Sequence, residues 1–220
     1  MAYQKLQVSR ALVVIPSDTV DIPFPGALMI SGTTTGAPTG AQVVDVLESG
    51  TNSTDGTTLT DVAKNFIAAG VQVGDTVEDT TSGNLATITA VGVTTLTLDT
   101  DIFPATGRAY SLGSFIRLGV RPGDIIYSGT TIAATVVNVV SGTLLTTTVA
   151  VPTATAYKLY KAGANEGCVL YVGTGGNVDL ITAGGDTVLY TGVPTGMFMP
   201  VQVKRVKATL TGASTIVAQW

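Results

Sequence analysis

The chain carries one phrase twice. "FIAAGVQVGDTVED" occupies residues 66–79, and "FIRLGVRPGDIIYS" occupies 115–128, a shift of 49. An active site is rarely duplicated at so short a period, whereas a structural unit often is. At this shift Phe66 matches Phe115, Ile67 matches Ile116, Gly70-Val71 match Gly119-Val120, Gly74-Asp75 match Gly123-Asp124, and Val77 matches Ile126. Further on, Ile88 aligns with Val137, Val91 with Val140, and Leu96 with Leu145; the second copy then shortens by two, so that Tyr110 and Leu112 align with Tyr157 and Leu159. The shared residues are apolar anchors at strand period and turn glycines. The phrase reads as a helical turn, then a tight turn, then a strand. Gly70, Gly74, Gly119 and Gly123 are placed where positive φ is needed. Asp75 and Asp124 are expected to accept from nearby turn amides; catalytic or calcium-binding roles for them are the weaker alternative. Asp61 is read as the cap of a turn running from Asn65 to Ala69, with Gly70 as its stop.

Composition agrees with a β scaffold. Of 220 residues, 37 are Thr and 26 Gly, while only 12% are charged. Thr suits a pleated, half-exposed surface and Gly the turns between strands. The expected fold is all-β: a discontinuous base domain, 1–32 with 163–220, forming a small sandwich or barrel, and an inserted domain, 33–162. The insert holds two tandem repeats, about 59–113 and 114–161. Strands are expected at about 75–79, 85–91, 94–99 and 109–113, then at 124–128, 132–140, 143–149 and 156–161. Residues 7–31 read as two or three short strands, 41–49 as one strand, 50–58 as a polar loop, and the segment from 162 onward as a strand meander. In that meander "GTGGN" and "AGGD" mark hairpin turns.

Several functions are disfavoured. The net charge of −4 and pI near 4.6 oppose nucleic-acid binding. No apolar run is long enough to span a bilayer as a helix, and "MAYQKLQVSR" lacks the apolar core of a secretory leader. The chain has no His and one Cys, which removes His-base hydrolysis, an internal disulfide, and His- or Cys-cluster metal sites. Cys168, within "GCVLYVG", reads as a buried structural thiol. "GTGG" at 173–176 precedes a strand rather than a helix and is no phosphate loop. "DTD" at 99–101 and "ED" at 78–79 lack a full set of calcium ligands. No cofactor is expected. The charge feature that stands out is "VKRVKA", in which Lys204, Arg205 and Lys207 cluster in a chain with 11 basic residues. Two readings apply to it: a Lys-protected edge strand, or contact with an acidic partner. A bulge near Arg205 would turn Val206 inward and aim the three cations at solvent.

The terminal segments resemble a known family. "VIPSDTVDIPFPGALMI" is followed, after the insertion, by Leu-Tyr-Val-Gly, a Gly-Gly-Asp-Thr hairpin, a Gly-Val-Pro-x-Gly turn and a closing Ile-Val-Ala-x-aromatic. This ordered pattern, about 90 of the 220 residues, resembles the small head-spike base proteins of tailed phages and gene transfer agents. The resemblance implies a non-enzymatic virion protein on the outer capsid surface, made in the host cytoplasm. It would be a capsid decoration (cement) or head-spike base subunit whose partners are the major capsid protein and further copies of itself. A trimer is favoured and a pentamer is the alternative; a spike fibre or host-surface glycan is a further candidate partner. Lys204, Arg205 and Lys207 are the candidate capsid contact, and Trp220 with the apolar composition points to a buried intersubunit patch. The rival reading is a carbohydrate-binding receptor module of a tail fibre or spike; a polysaccharide-degrading enzyme is a distant third.

Overall fold

The computed structural model describes residues 10–24, 27–129, 132–163 and 165–220. Residues 1–9, most of the stretch read as lacking a secretory leader, lie outside the described residues. The fold is all-β. Its strands are β1 (Ala11–Val13), β2 (Leu28–Thr33), β3 (Gln42–Val44), β4 (Glu48–Asn52), β5 (Thr58–Thr60), β6 (Thr76–Asp79), β7 (Leu85–Val91), β8 (Thr95–Leu98) and β9 (Arg108–Gly113). They continue with β10 (Ile125–Ser128), β11 (Ile132–Val139), β12 (Leu144–Thr147), β13 (Ala156–Tyr160), β14 (Cys168–Thr174), β15 (Gly176–Thr182), β16 (Thr187–Val193), β17 (Met197–Val206) and β18 (Ser214–Gln219). Among the described residues no helix is long and apolar enough to cross a membrane.

Three antiparallel sheets result, each six-stranded: β4-β9-β6-β7-β8-β5, β2-β13-β10-β11-β12-β3, and β1-β18-β14-β17-β15-β16. By compactness the chain forms two units. One comprises Met1–Ser31, Gly123–Thr135 and Tyr157–Trp220; the other comprises Gly32–Pro122 and Val136–Ala156.

The first two sheets are the two copies. In the first, β4 and β5 stand at opposite ends of the strand order yet are consecutive in the chain. The Ser53 amide donates to the Thr60 carbonyl at 2.8 Å, and the Asn52 side-chain oxygen accepts from the Thr60 amide at 2.9 Å. The sheet is thereby nearly closed into a barrel around Leu59, Phe66, Ile88, Leu96, Phe103 and Leu112. Alternation explains the closure: Ala86 and Ile88 of β7, and Leu96 and Leu98 of β8, point inward while the residues between them stay exposed.

The duplication is nested rather than tandem. The Asp61 amide donates to Thr94 O in copy one, and the Asp45 amide donates to Thr143 O in copy two. Likewise Leu98 donates to Thr57, and Thr147 donates to Ala41. The first two strands of copy two are therefore β2 and β3, upstream of copy one, and β4–β9 is inserted between them and the rest of that copy. The repeat bounds 59–113 and 114–161 take in the last four strands of each copy; in copy one they also take in Leu59 and Thr60 of β5 and miss β4, and in copy two they miss β2 and β3. Because Leu28–Thr33 pairs in the second sheet, Ala11–Val13 is the one strand among the described residues that the N-terminal segment gives to the third sheet.

Smaller readings also change. The strand expected at 41–49 is two strands broken at 45–47, and Gly50–Asn52 is strand rather than loop. The uniform shift of 49 fails in β11. Ile125 pairs Thr135 where Thr76 pairs Thr87, so the counterpart of Ile88 is Val136, 2% exposed, and not Val137, 55% exposed. A slip of one residue exchanges the faces of a strand. The third sheet is no simple meander: β17 lies between β14 and β15. "GTGG" thus joins strands that do not pair, whereas "AGGD" does close the β15–β16 hairpin.

The nesting makes copy one removable. Asp45 and Phe115, which flank it, bind the adjacent carbonyls of Thr143 and Gly142, so a short linker can bridge the gap. Replacing 46–113 by a few Gly/Ser residues is expected to leave a cooperative thermal transition by circular dichroism. Loss of that transition would show that the copies fold only together. Removing 36–162 instead should be far more damaging, because Ile15 and Val20 pack with Ile125, Tyr127 and Tyr160.

Candidate interaction surfaces

The repeated turns are structural in their geometry. In copy one Ala69 N donates to Asn65 O, Gly70 N to Ile67 O, and Val71 N to Phe66 O. In copy two Leu118 N donates to Ser114 O, Gly119 N to Ile116 O, and Val120 N to Phe115 O. Each set is a single helical turn closed by a Schellman motif, with glycine at the left-handed position. Gly70, Gly74, Gly119 and Gly123 have φ of 79°, 91°, 70° and 96°. The cap of the first turn is Asn65, whose side-chain oxygen accepts from Ala68 N at 2.9 Å; Asp61 caps the preceding turn through Ala63 N and accepts from the Tyr110 hydroxyl at 2.9 Å. Burial, then the Asp61 carboxylate, pushes the Tyr110 phenol far above its usual range.

Asp75 and Asp124 are both buried. Asp75 accepts from the Gln72 amide at 2.8 Å and pairs with Arg117 from the second copy's turn. Asp124 accepts from the amide of Ala162 at 2.7 Å, 38 residues away in the sequence. Of the two acidic pairs weighed as calcium ligands, Asp79 is wholly buried and pairs with Arg108. Burial works to raise its pKa, but Arg108, the Thr81 amide and the Ser82 hydroxyl outweigh it and hold the carboxyl below the usual carboxylate range. Cys168 is 1% exposed, and burial pushes its thiol up to about 12, far from a reactive thiolate at neutral pH. Among the described residues no group of three or more acidic or Cys side chains is placed to hold a metal ion.

The basic strand has the expected bulge but not the expected exposure. Ile181 pairs with Arg205 and Thr182 with Val203, one residue against two, so both Val203 and Val206 face the core. The cations then meet carboxylates of their own chain. Arg205 pairs with Asp21 at 2.6 Å and donates to the Asp18 carbonyl at 2.9 Å; Lys204 lies 3.4 Å from Asp21; Lys207 lies 2.9 Å from Asp179, which is buried. The Pro-Ser-Asp-Thr motif supplies Asp18, and the segment directly after it supplies Asp21. Ser17 N donates to Val206 O and Ile22 N to Lys204 O, laying 17–22 along β17, and the Ser17 hydroxyl turns the segment by accepting from Val20 N. Thr209 caps Asp18 through its amide and hydroxyl, and these bonds lower the Asp18 pKa. Two motifs that stand out separately in the sequence are one clasp. A cleft of about 480 Å³ opens beside it, lined by Asp21, Glu166, Lys204 and Arg205 among others.

This geometry sets an expected result for the triple change Lys204, Arg205, Lys207→Ser. Asp179, which is buried, would lose the Lys207 cation it meets, and breaking a buried pair costs more than losing an exposed one. The variant should unfold at lower denaturant concentration, by about 2 kcal/mol. An unchanged midpoint would mean that the clasp contributes nothing.

Trp220 is also used within the chain. It packs on the core of the third sheet, stands edge-on to Phe24 at 5.6 Å, and donates from Nε1 to Asn165 Oδ1 at 3.1 Å.

The outer face of the third sheet carries what the sequence left unnoticed. Val13 pairs with Val217, Val217 with Tyr171, and Tyr171 with Phe198. One apolar row therefore crosses β1, β18, β14 and β17 on the side away from the core, with Val13 43% and Phe198 50% exposed. Tyr171 and Phe198 stack at a tilt, 5.1 Å between ring centroids. The signal is present as alternation in two of the strands: Val217 lies between Ile216 and Ala218, and Tyr171 between Leu170 and Val172, all four in the core.

No protein-family model, curated protein or solved structure matches the chain.

Proposed function

We propose that the chain is a structural subunit of a phage-type particle, a capsid decoration or head-spike base protein that acts by attachment rather than chemistry. The observation that carries this reading is the apolar row Val13–Val217–Tyr171–Phe198. A monomeric surface seldom aligns exposed aromatic and aliphatic side chains across four strands without a partner to cover them, and aromatic anchors dominate binding energy at interfaces. The row belongs to the sheet built from the terminal segments, which are also the segments that resemble spike bases. The basic clasp, neutralised by its own carboxylates, serves this reading as a brace for that sheet.

Purified particles should contain the protein in fixed stoichiometry to the major capsid protein, and stripped capsids should rebind it. Tyr171→Ser with Phe198→Ser truncates two side chains on the outer face, Phe198 exposed and Tyr171 half-buried, and leaves the core residues in place. It is expected to weaken rebinding at least about tenfold while leaving the melting curve near wild type. Absence from particles, or wild-type rebinding by the double variant, would sink the proposal.

A further inference from the structure

We infer that β16 is a self-pairing edge, through which two copies of this chain join their third sheets across a two-fold axis. The inference stands on the edge itself and not on the virion reading.

Among the described residues β16 ends the strand order and pairs on one side only, with β15. The hairpin fixes which of its backbone groups remain open. Thr182 N donates to Asp186 O at 2.9 Å, making 182/186 a hydrogen-bonded pair. Alternation along the ladder then makes Leu180/Val188 and Val178/Tyr190 hydrogen-bonded pairs as well. The N–H and C=O groups of Thr187, Leu189 and Thr191 therefore point away from β15. All three residues are exposed, Leu189 at 42%. Their stretch is straight: it starts after the turn at Asp186 and ends at the bulge formed where Gly176 pairs Val193 and Val178 pairs Tyr190, with Gly192 at φ 64°.

Natural edges of this length carry a charge, a proline or a cover that blocks further pairing. The segment "TVLYTGV" at 187–193 has no charged residue and no proline. Leu189 lies midway between Thr187 and Thr191. An antiparallel second copy in the register Leu189 to Leu189 therefore brings every outward donor opposite an acceptor. It also sets Thr187 against Thr191 and leucine against leucine, both favourable cross-strand pairs, with no like charges facing. A partner strand of other composition gains nothing from this symmetry; a second copy uses all of it. The result is isologous, joining copies in twos rather than in the threes expected from the sequence.

The test uses the full chain. Sedimentation of wild type across the micromolar range should show a monomer–dimer equilibrium. Directly opposed hydrogen-bonded residues lie about 5.5 Å apart at Cα, within disulfide reach. Leu189→Cys is therefore expected to form a covalent dimer under mild oxidation, while wild type, whose Cys168 is 1% exposed, stays monomeric on a non-reducing gel. Leu189→Lys places two cations face to face and should weaken the dimer at least about tenfold, with its melting curve confirming the fold. Wild type monomeric throughout with no cross-link from Leu189→Cys would overturn the inference. So would a dimer that survives Leu189→Lys undiminished. Capsid rebinding is read in a separate assay, so either proposal can fail without the other.

Discussion

Gly113→Ala is expected to destabilise the protein by about 3 kcal/mol or more, read as a lower denaturation midpoint at unchanged slope. The cause is a close approach of two backbones. A Cβ on Gly113, at the end of β9, would lie 2.1 Å from the carbonyl oxygen of Gly142 and 2.2 Å from its carbon. Neither atom belongs to a side chain that could rotate away. From the other side, a Cβ on Gly142 would meet Gly113 O at 2.6 Å and Thr76 Cβ at 2.9 Å. Gly142→Ala should therefore fail as well, and combining the two should give no rescue. Gly40, whose Cβ would meet nothing within 4 Å and which is not at positive φ, is the control. Gly40→Ala should fall within about 0.5 kcal/mol of wild type. Equal effects at Gly113 and Gly40 would mean that the contact between the copies yields easily.

Arg117→Ala should cost about 3 kcal/mol by a different route. Asp75 is wholly buried, and Arg117 is the cation that meets it. The arginine stem also covers Gly74: a Cβ there would lie 3.3 Å from Arg117 Cδ. Truncating Arg117 strands a carboxylate away from water with the Gln72 amide as a remaining donor. Asp75→Asn keeps an acceptor for that amide and leaves an arginine that can reach solvent, so its cost should be smaller, about 1–2 kcal/mol. The informative quantity is the double variant. Asp75→Asn in the Arg117→Ala background should recover part of the loss, because the stranded charge is gone. Strictly additive losses would show that the two side chains are not coupled.

Strand positions were largely legible because alternation is local. The expected 85–91 is β7, and 109–113 is β9 within one residue. The last four strands of each copy were visible because large buried residues, Phe66 with Phe115 and Tyr110 with Tyr157, fill equivalent places. The first two strands of copy two, β2 and β3, were not visible. Their shared signal with copy one is Ser-Gly-Thr, at 31–33 and 49–51, in short strands where Thr and Gly are common everywhere. Strand neighbours were illegible for a related reason: periodicity reports the face a residue points to, not the strand beside it. Hence β17 between β14 and β15 came as a correction. In the clasp, the bulge could be read from Val203 and Val206 alone, but the partner of Arg205 is 184 residues away at Asp21, and no local pattern encodes that.

The nesting has a consequence for how the chain is made. β1 waits for β18, β2 and β3 wait for β12 and β13, and only β4–β9 is self-contained. The strands open and close like brackets. As the chain leaves the ribosome, the innermost barrel is complete once Gly113 has emerged, while β2 and β3 must remain unpaired until residues 144–160 follow. Folding the inner barrel first draws Asp45 and Phe115 together, replacing a loop of some seventy residues by a short one before the outer barrel must close. Loop-closure cost grows with length, and domains that complete early fold during synthesis. The insert thus acts as a tether that gathers its host, and a variant that slows the inner barrel should delay every sheet outside it.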